Sequence, residues 1–330
     1  MAANLTPQYL KAEEQYRRAA TAEEELRALE IMLREMPKHK ASEKLQSDLK
    51  QKISRARHDV EAERKQGRKS HAVRIPRQGA GTGIMLGGPN AGKSSLLRAL
   101  TRATPEVAPY PFTTRTPLPG MMPWEDVNVQ LVDTPPITAD VLEPYLLNLV
   151  RAADLAILVI DLGSDDGIEA VQAVLDRLAD TKTRLARDSS LDPDDVGLSY
   201  TRTLVVPNKI DLPDAAVRLE LLHELLPLDF PEWVISAEQG TGVEALRGAI
   251  FTALDVVRVY TKLPTHKEPD MERPFTVRHG STVLDVAEQV HKDFVDKFKF
   301  ARVWGAKVHP GTVVKADHVV ADRDIVELHM

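Results

Sequence analysis

The octapeptide Gly87-Gly88-Pro89-Asn90-Ala91-Gly92-Lys93-Ser94 constrains this chain more than any other stretch. An apolar tripeptide, Ile84-Met85-Leu86, leads into it, and a helix-forming run, Ser95-Leu96-Leu97-Arg98-Ala99-Leu100, follows. Strand, glycine-rich turn and helix in that order make a phosphate cradle. The glycines let backbone N–H groups curl around an anion, and the helix N-terminus adds its dipole. In such a cradle Lys93 reaches the β- and γ-phosphates and the Ser94 hydroxyl ligates Mg2+. Ser95 joins the cradle at the first turn of the helix.

Three further segments follow, each after an apolar strand-like run. Val127-Asn128-Val129-Gln130-Leu131-Val132 ends on Asp133 and Thr134, which places a carboxylate where it can hold Mg2+ through water. Leu204-Val205-Val206-Pro207 leads into Asn208-Lys209-Ile210-Asp211, and Val234-Ile235 into Ser236-Ala237-Glu238. A carboxylate such as Asp211 accepts both N–H groups of a guanine edge, a donor pair that adenine lacks. The Ser236 loop suits the guanine carbonyl. Four such segments in register predict GTP and GDP as ligands and argue against an ATP-using enzyme. Strands and helices alternate from about 81 to 259, the pattern of a doubly wound, mostly parallel α/β sheet with ligands at the strands' carboxyl ends.

Composition sets limits on the rest. A length of 330 residues allows two or three domains, and 43% hydrophobic content is ample for cores. The absence of cysteine excludes disulfides and thiolate zinc sites, and the ten histidines show no ligand spacing. The densest apolar run, Leu155 to Ile160, is too short to span a membrane and reads as a buried parallel strand. The N-terminus has no apolar signal core, so a cytoplasmic location is expected. The net charge of −6 is uneven: Arg34 to Arg77 holds 14 basic and 6 acidic residues, against 29 and 43 elsewhere. A basic arm on an acidic protein points to a polyanionic partner such as RNA.

Residues 1–72 read as a basic helical hairpin. Leu26, Leu29 and Leu33 repeat at helical spacing, as do Leu45, Leu49, Ile53 and Val60, with a break at Pro37. The nucleotide-binding unit is expected over 73–262. A stiff linker signalled by Pro264, Pro269 and Pro274 is expected over 263–272, and a small sheet gripping one helix over 273–330. Thr282 or Ser281 is the expected N-cap of that helix. Phe294, Phe298, Phe300 and Trp304 are read first as core, with a base-stacking platform as the alternative, and strand alternation sets Phe300 and Val303 on opposite faces.

With these motifs in place, the chain resembles the Obg superfamily of P-loop GTPases, and within it the developmentally regulated GTP-binding (DRG) family. The Arg34–Gln46 segment resembles that family's basic N-terminal helix, and Tyr110-Pro111-Phe112-Thr113-Thr114 resembles an Obg-type switch one. Residues 274–329 are similar to a TGS domain, carrying Val303-Trp304-Gly305, Asp317-His318 and Asp324-Ile325-Val326. No glycine-rich N-terminal Obg fold is present, and Asp133 leaves no room for the inserted domain of typical DRG proteins. The resemblance implies a ubiquitin-like β-grasp fold for the tail and ribosome- or translation-linked work for the whole. It implies nucleotide contacts from Phe112, Thr113 and Thr114, with Thr114 completing the Mg2+ shell, and it implies catalytic roles for Lys93, Thr114 and Asn90. Asn90 occupies the position from which potassium-activated relatives help bind K+. Two departures stand out. Relatives continue the Asp133 box with a glycine whose N–H bonds the γ-phosphate, whereas Pro136 has none. Ile137 takes the place of a water-positioning glutamine. Slow hydrolysis is therefore expected, awaiting a cation or an activating protein. A nucleotide-binding scaffold with switch two frozen by Pro135-Pro136 is the alternative.

Overall fold

The structure, a computed structural model, describes residues 6–19, 21–36, 43–66, 75–101, 117–192, 195, 197–266 and 268–330. The chain opens with helices α1 (Pro7–Arg18), α2 (Ala22–Glu35) and α3 (Glu43–Gln66). The expected hairpin is therefore three helices. Thr21 breaks the first half: its hydroxyl accepts from the Glu24 N–H (3.1 Å), and Glu23, Glu24 and Glu25 follow in the first turn of α2. The uniformly polar, helix-favouring composition of this stretch conceals that boundary. Tyr9, Ala12 and Tyr16 of α1 pack with Leu29 and Met32 of α2 and Leu49 and Ile53 of α3.

The element does not stand alone. Leu191 of the main body joins its core, its N–H donates to Glu13 (2.8 Å), and Arg18 pairs with Asp154 (2.7 Å). Arg17, buried between the units, donates to Ser199 Oγ (3.2 Å).

The main sheet holds β1 (Thr82–Leu86), β2 (Leu118–Trp124), β3 (Val127–Asp133), β4 (Leu155–Asp161), β5 (Thr183–Ala186), β6 (Ser190–Leu191) and β7 (Ser199–Asn208). Its order is β2-β3-β1-β4-β7-β5, parallel except for the β2–β3 hairpin and β6, which pairs antiparallel with β7. Helices α4 (Lys93–Thr101), α5 (Pro144–Ala152), α6 (Gly167–Ala179), α7 (Ala215–Leu225) and α8 (Val243–Ala253) cover its two faces. Leu96, Leu100 and Ile250 seal one side, and Leu146, Val150, Val171 and Val174 the other. Strand β4 lies at the centre with both faces covered, so Leu155 to Ile160 are all fully buried. Residues 231–235 run beside the second half of β7, with Trp233 N–H donating to Val205 O and Ile235 N–H to Pro207 O (both 2.9 Å). The connection from β5 to β7 contributes the two-residue strand β6.

The second sheet comprises β8 (Val256–Thr261), β9 (Asp270–Arg278), β10 (Phe300–Gly305), β11 (Val308–Val314) and β12 (Asp324–His329), in the order β11-β10-β12-β8-β9. Helices α9 (Val283–Val290) and α10 (Lys292–Lys297) lie between β9 and β10 in the chain. Thr282 is the N-cap of α9, in a capping box with Asp285. A β8–β9 hairpin with β8 parallel to β12, gripping one main helix, is a β-grasp arrangement. The second sheet thus begins at Val256, whereas the sequence reading keeps 256–262 with the first unit and begins the tail at 273. Val256–Tyr260 reads as the next strand of an alternating α/β chain, and nothing in its residues says which sheet it joins. Arg258, with only 6% of its side chain exposed, binds Asp322 (2.7 Å) and reaches the β2–β3 turn at Glu125 and Asp126 (2.9 Å to Asp126).

Candidate functional site

The loop between β1 and α4 has the geometry its glycines require. Gly87 has φ +153, and a Cβ there would lie 2.5 Å from Val159 O on β4. Gly92, at φ +92, leaves only 2.3 Å between such an atom and Asn208 Nδ2. Only glycine fits either place. Ala91 is buried, whereas Pro89 and Asn90 are exposed, and Asn90 takes the left-handed φ of 57. Lys93 folds into the loop and donates to Gly87 O (3.0 Å) and Gly88 O (2.9 Å). Burial pulls its ammonium down to about 8, with Asp133 pulling the other way. Ser95, half-buried, accepts from Arg98 (3.3 Å).

Asp133 stands at the end of β3, level with the loop. Ser94 Oγ donates to Asp133 Oδ2 (2.5 Å), and Asp133 Oδ1 is buried without a hydrogen-bond partner among the described residues. Burial raises the Asp133 carboxyl, and the Ser94 hydrogen bond and Lys93 offset part of that rise. A hydroxyl and an orphaned carboxylate oxygen are the hard donors that Mg2+ prefers, so the residues present fit that ion. Phe112, Thr113 and Thr114 lie outside the described residues.

The base end is built around Asn208, which is 1% exposed. Its Nδ2 donates to Ala91 O and its Oδ1 accepts the Ala237 N–H, both at 3.0 Å. One side chain thus fastens the phosphate loop to the Ser236 loop. The Ser236 hydroxyl accepts the Gln239 N–H (3.0 Å) and shapes that loop, with Ala237 and Glu238 following it in the turn. Asp211 Oδ1 is buried without a hydrogen-bond partner among the described residues, the condition of a carboxylate built to meet an external donor. Lys209 sits at φ 68 with its Cε near Gly92, and its Nζ pairs with Asp161 Oδ2 at 2.7 Å.

Asp161 is the residue the sequence reading missed. The signal was the one used for Asp133: an apolar run, Leu155 to Ile160, ending on a carboxylate. Asp161 Oδ1 also accepts the Gly163 N–H (2.7 Å), which fixes the turn under Lys209.

The segment after Asp133 is anchored at several points. Thr134 is buried, and its hydroxyl donates to Met85 O (2.6 Å). That bond ties the start of the segment to the end of β1. Ile137 N–H donates to Gly87 O (3.2 Å), and its side chain is fully buried with Leu146 and Val150. Ile137 therefore faces the core and not the position of an attacking water. Thr138 Oγ1 accepts the Val141 N–H (3.1 Å).

Comparison with known proteins agrees with this geometry. Residues 82–188 match the family described as 50S ribosome-binding GTPases, and residues 257–330 match the TGS domain. The chain is 30% identical to an uncharacterized GTP-binding protein of Methanocaldococcus jannaschii, over 93% of this chain and 92% of that one. That alignment runs over 363 positions, more than the whole of this chain, so the relative carries segments with no counterpart here. The chain is also 26% identical to developmentally-regulated G-protein 2 of Arabidopsis thaliana, over 92% of this chain and 90% of that one. With ribosome-interacting GTPase 1 of Saccharomyces cerevisiae it shares 24% identity, over 94% and 99%. The solved YchF GTPase of Schizosaccharomyces pombe shares the fold, with TM-score 0.50 and 16% identity over 77% of this chain and 99% of that one. No helix among the described residues is long and apolar enough to cross a membrane.

Proposed function

Because this chain belongs to the developmentally regulated GTP-binding family of Obg-type P-loop GTPases, and ends in a TGS domain, we propose that it is a slow, Mg2+-dependent GTPase acting on or near the ribosome in the cytoplasm. One observation supports this most: Asn208 joins the two loops into a single cleft with a buried, unpartnered carboxylate oxygen at each end, on Asp133 and on Asp211. In this reading Gly87 to Gly92 wrap the phosphates, and Lys93 leaves Gly87 O and Gly88 O to meet the β- and γ-phosphates. Asp211 accepts the guanine N–H pair, while Lys209, pinned by Asp161, lays its stem along the base. Ser94, Thr114 and, through water, Asp133 hold Mg2+, whose chemistry is to neutralise charge on the phosphate oxygens. Asn90, exposed beside them, is the residue to test for K+ assistance.

Turnover is slow in this reading because no side chain at 137 reaches the water and no N–H at 136 reaches the γ-phosphate. The matched family's description and the yeast relative's name support a ribosomal partner, as do the cations Lys50 and Arg55, both exposed on α3. Cosedimentation with ribosomal particles under GDP and a non-hydrolysable GTP analogue tests it, with binding expected to favour one nucleotide. Binding that ignores nucleotide, or that survives Lys50→Glu/Arg55→Glu unchanged, contradicts this reading. A second reading is favoured by the anchoring of Thr134 and Ile137: a nucleotide-binding scaffold whose switch two does not move. Equal GTP and GDP affinities with no phosphate release would select it, since a ligand bound equally by two states shifts neither.

A further inference from the structure

The second sheet has two faces with different chemistry. Its inner face, with Val257, Val259, Ala301, Val303 and Val326, is closed by α9, and Phe294 and Phe298 pack against that core as expected. The other two aromatics do not. Phe300 and Trp304 alternate with Ala301 and Val303 and so stand on the outer face, each half-buried. The β8 part of that face is occupied by the Arg258 and Tyr260 contacts with Glu125 and Asp126. The part built from β10, β12 and β11 is open.

That open part carries rings and cations in alternation. Phe300 is stacked on His329 of β12, with centroids 4.3 Å apart and planes 13° from parallel. Trp304 lies four residues along β10, about 13 Å away at the strand rise of ~3.3 Å per residue. Lys262 Nζ stands 4.8 Å from its ring centroid. Arg302 projects from the same face between the two ring positions; its side chain is exposed and makes no ion pair or hydrogen bond among the described residues. Its cross-strand neighbour Glu327 does not neutralise it, because Glu327 is bound to Lys262 and His329. On the other side Arg302 faces Val313, which is 60% exposed.

Aromatic rings presented on an open sheet with a guanidinium between them stack unpaired bases and meet the phosphate that links them. A duplex offers no free base face to such rings. We propose that the outer face of β10–β12 is a binding site for single-stranded RNA. Unpaired bases stack on the Phe300–His329 pair and on Trp304, and Arg302 contacts the intervening phosphate. This rests on the ribosome-linked reading above and gives it a second, sequence-tolerant contact, separate from Lys50 and Arg55 of α3.

The full-length protein titrated with 5′-fluorescein-labelled octamers of rA and rU, followed by anisotropy, tests the proposal. A fluorescein-labelled, GC-rich RNA duplex of about 16 base pairs, long enough to stay paired, serves as the duplex probe. Single strands are expected to bind more tightly than the duplex. Phe300→Leu and Trp304→Leu should each weaken single-strand binding about tenfold, the scale of one base–ring stack. Arg302→Gln should weaken it severalfold and reduce its salt dependence. The Arg302 side chain has no partner among the described residues, so its variant keeps the melting temperature of the parent protein and separates binding from folding. Lys50→Glu/Arg55→Glu, run alongside with ribosome cosedimentation, separates the two readings. Ribosome binding that persists while the octamers bind equally to parent, Phe300→Leu and Arg302→Gln would overturn the sheet-face site and leave the ribosomal reading standing. Equal affinity for duplex and single strands would overturn it too. Single-strand binding lost in the sheet-face variants, with no ribosome association in any form, would retain the site and remove the ribosomal partner.

Discussion

Asn208→Ala should do more damage than any other single truncation at the nucleotide site, because Asn208 is, among the described residues, the side chain that joins the phosphate loop to the Ser236 loop. Two hydrogen bonds disappear, Nδ2 to Ala91 O and Ala237 N–H to Oδ1, each 3.0 Å. The Ala91 carbonyl has no room to turn to water, since Ala91 is 2% exposed, whereas Ala237 is half-buried and its N–H is closer to solvent. Each bond is worth about 1 kcal/mol net, and the Ala91 carbonyl, left buried without its partner, adds a penalty of about 1–3 kcal/mol. A loss of about 3–5 kcal/mol therefore follows, a large part of the ~5–15 kcal/mol that holds a typical domain folded. Gly92 sharpens the effect: it packs so tightly on Asn208 that the loop loses its backstop as well as its bond. Urea unfolding measures the stability term, and titration with a fluorescent GDP analogue measures the site. Affinity is expected to fall at least about 100-fold, equivalent to ~2.7 kcal/mol. Asn208→Asp separates the halves, keeping an acceptor for Ala237 N–H but setting a carboxylate against Ala91 O. Destabilisation below about 1 kcal/mol with GDP affinity within threefold of the parent would refute the stapling role, since that is the worth of one solvent-replaceable hydrogen bond.

Other perturbations have equally definite outcomes. Lys93 titrates near 8 before nucleotide binds, and phosphate contact raises it, so binding takes up a proton. GTP affinity should be level below that pH and decline above it, by up to tenfold per pH unit, and Lys93→Ala should abolish the decline along with most of the affinity. Pro136→Gly restores an N–H at the γ-phosphate and should raise the preference for GTP over GDP by about 10-fold or more, the worth of a charge-assisted hydrogen bond of ~1.5–3 kcal/mol. Paired affinity measurements for the two nucleotides check it. Asp211→Asn should shift preference from guanine to xanthine nucleotides, and unchanged selectivity in a competition assay would place base recognition elsewhere. Arg258→Gln removes a guanidinium with 6% exposure from among Asp322, Glu125 and Asp126 and should cost about 3 kcal/mol in thermal or urea unfolding. Burial alone would raise the Asp322 and Asp126 carboxyls, but hydrogen bonds from Arg258, and from Tyr260 to Asp126, hold them below their usual range, so the stability this cluster provides is present above that range and is lost as pH falls to their lowered values.

The parts of the fold that sequence reveals are those dictated by local chemistry. The phosphate loop is legible because only glycine fits at 87 and 92, and because lysine and serine must follow. The strand β4 and the ends of β1, β3 and β7 nearest the site are legible because parallel strands buried on both faces run apolar there, whereas the polar first half of β7, Ser199 to Thr203, gave no such signal. The Thr21 break was hidden because a threonine cap looks like any polar helix residue until its hydroxyl is seen accepting the Glu24 N–H. The membership of β8 was hidden because strand residues encode pairing propensity, not partner. Asn208 was legible as a motif residue but not as a staple, since its two partners lie 117 and 29 positions away in the chain. Ile137 was legible as a residue that guides no water, but its packing against Leu146 and Val150 was not, since those partners lie in a later helix. Alternation along β10 correctly divided Phe300 from Val303, but it took the helix on one face to say which side was open.

The most direct test of the GTPase reading is single-turnover phosphate release from GTP by the full-length protein with Mg2+, in potassium and in sodium, with and without ribosomal particles. Slow release is expected from the protein alone, accelerated by ribosomal particles, with any dependence on potassium removed by Asn90→Ala. No phosphate release under any of these conditions, with GTP and GDP bound equally well, would contradict it.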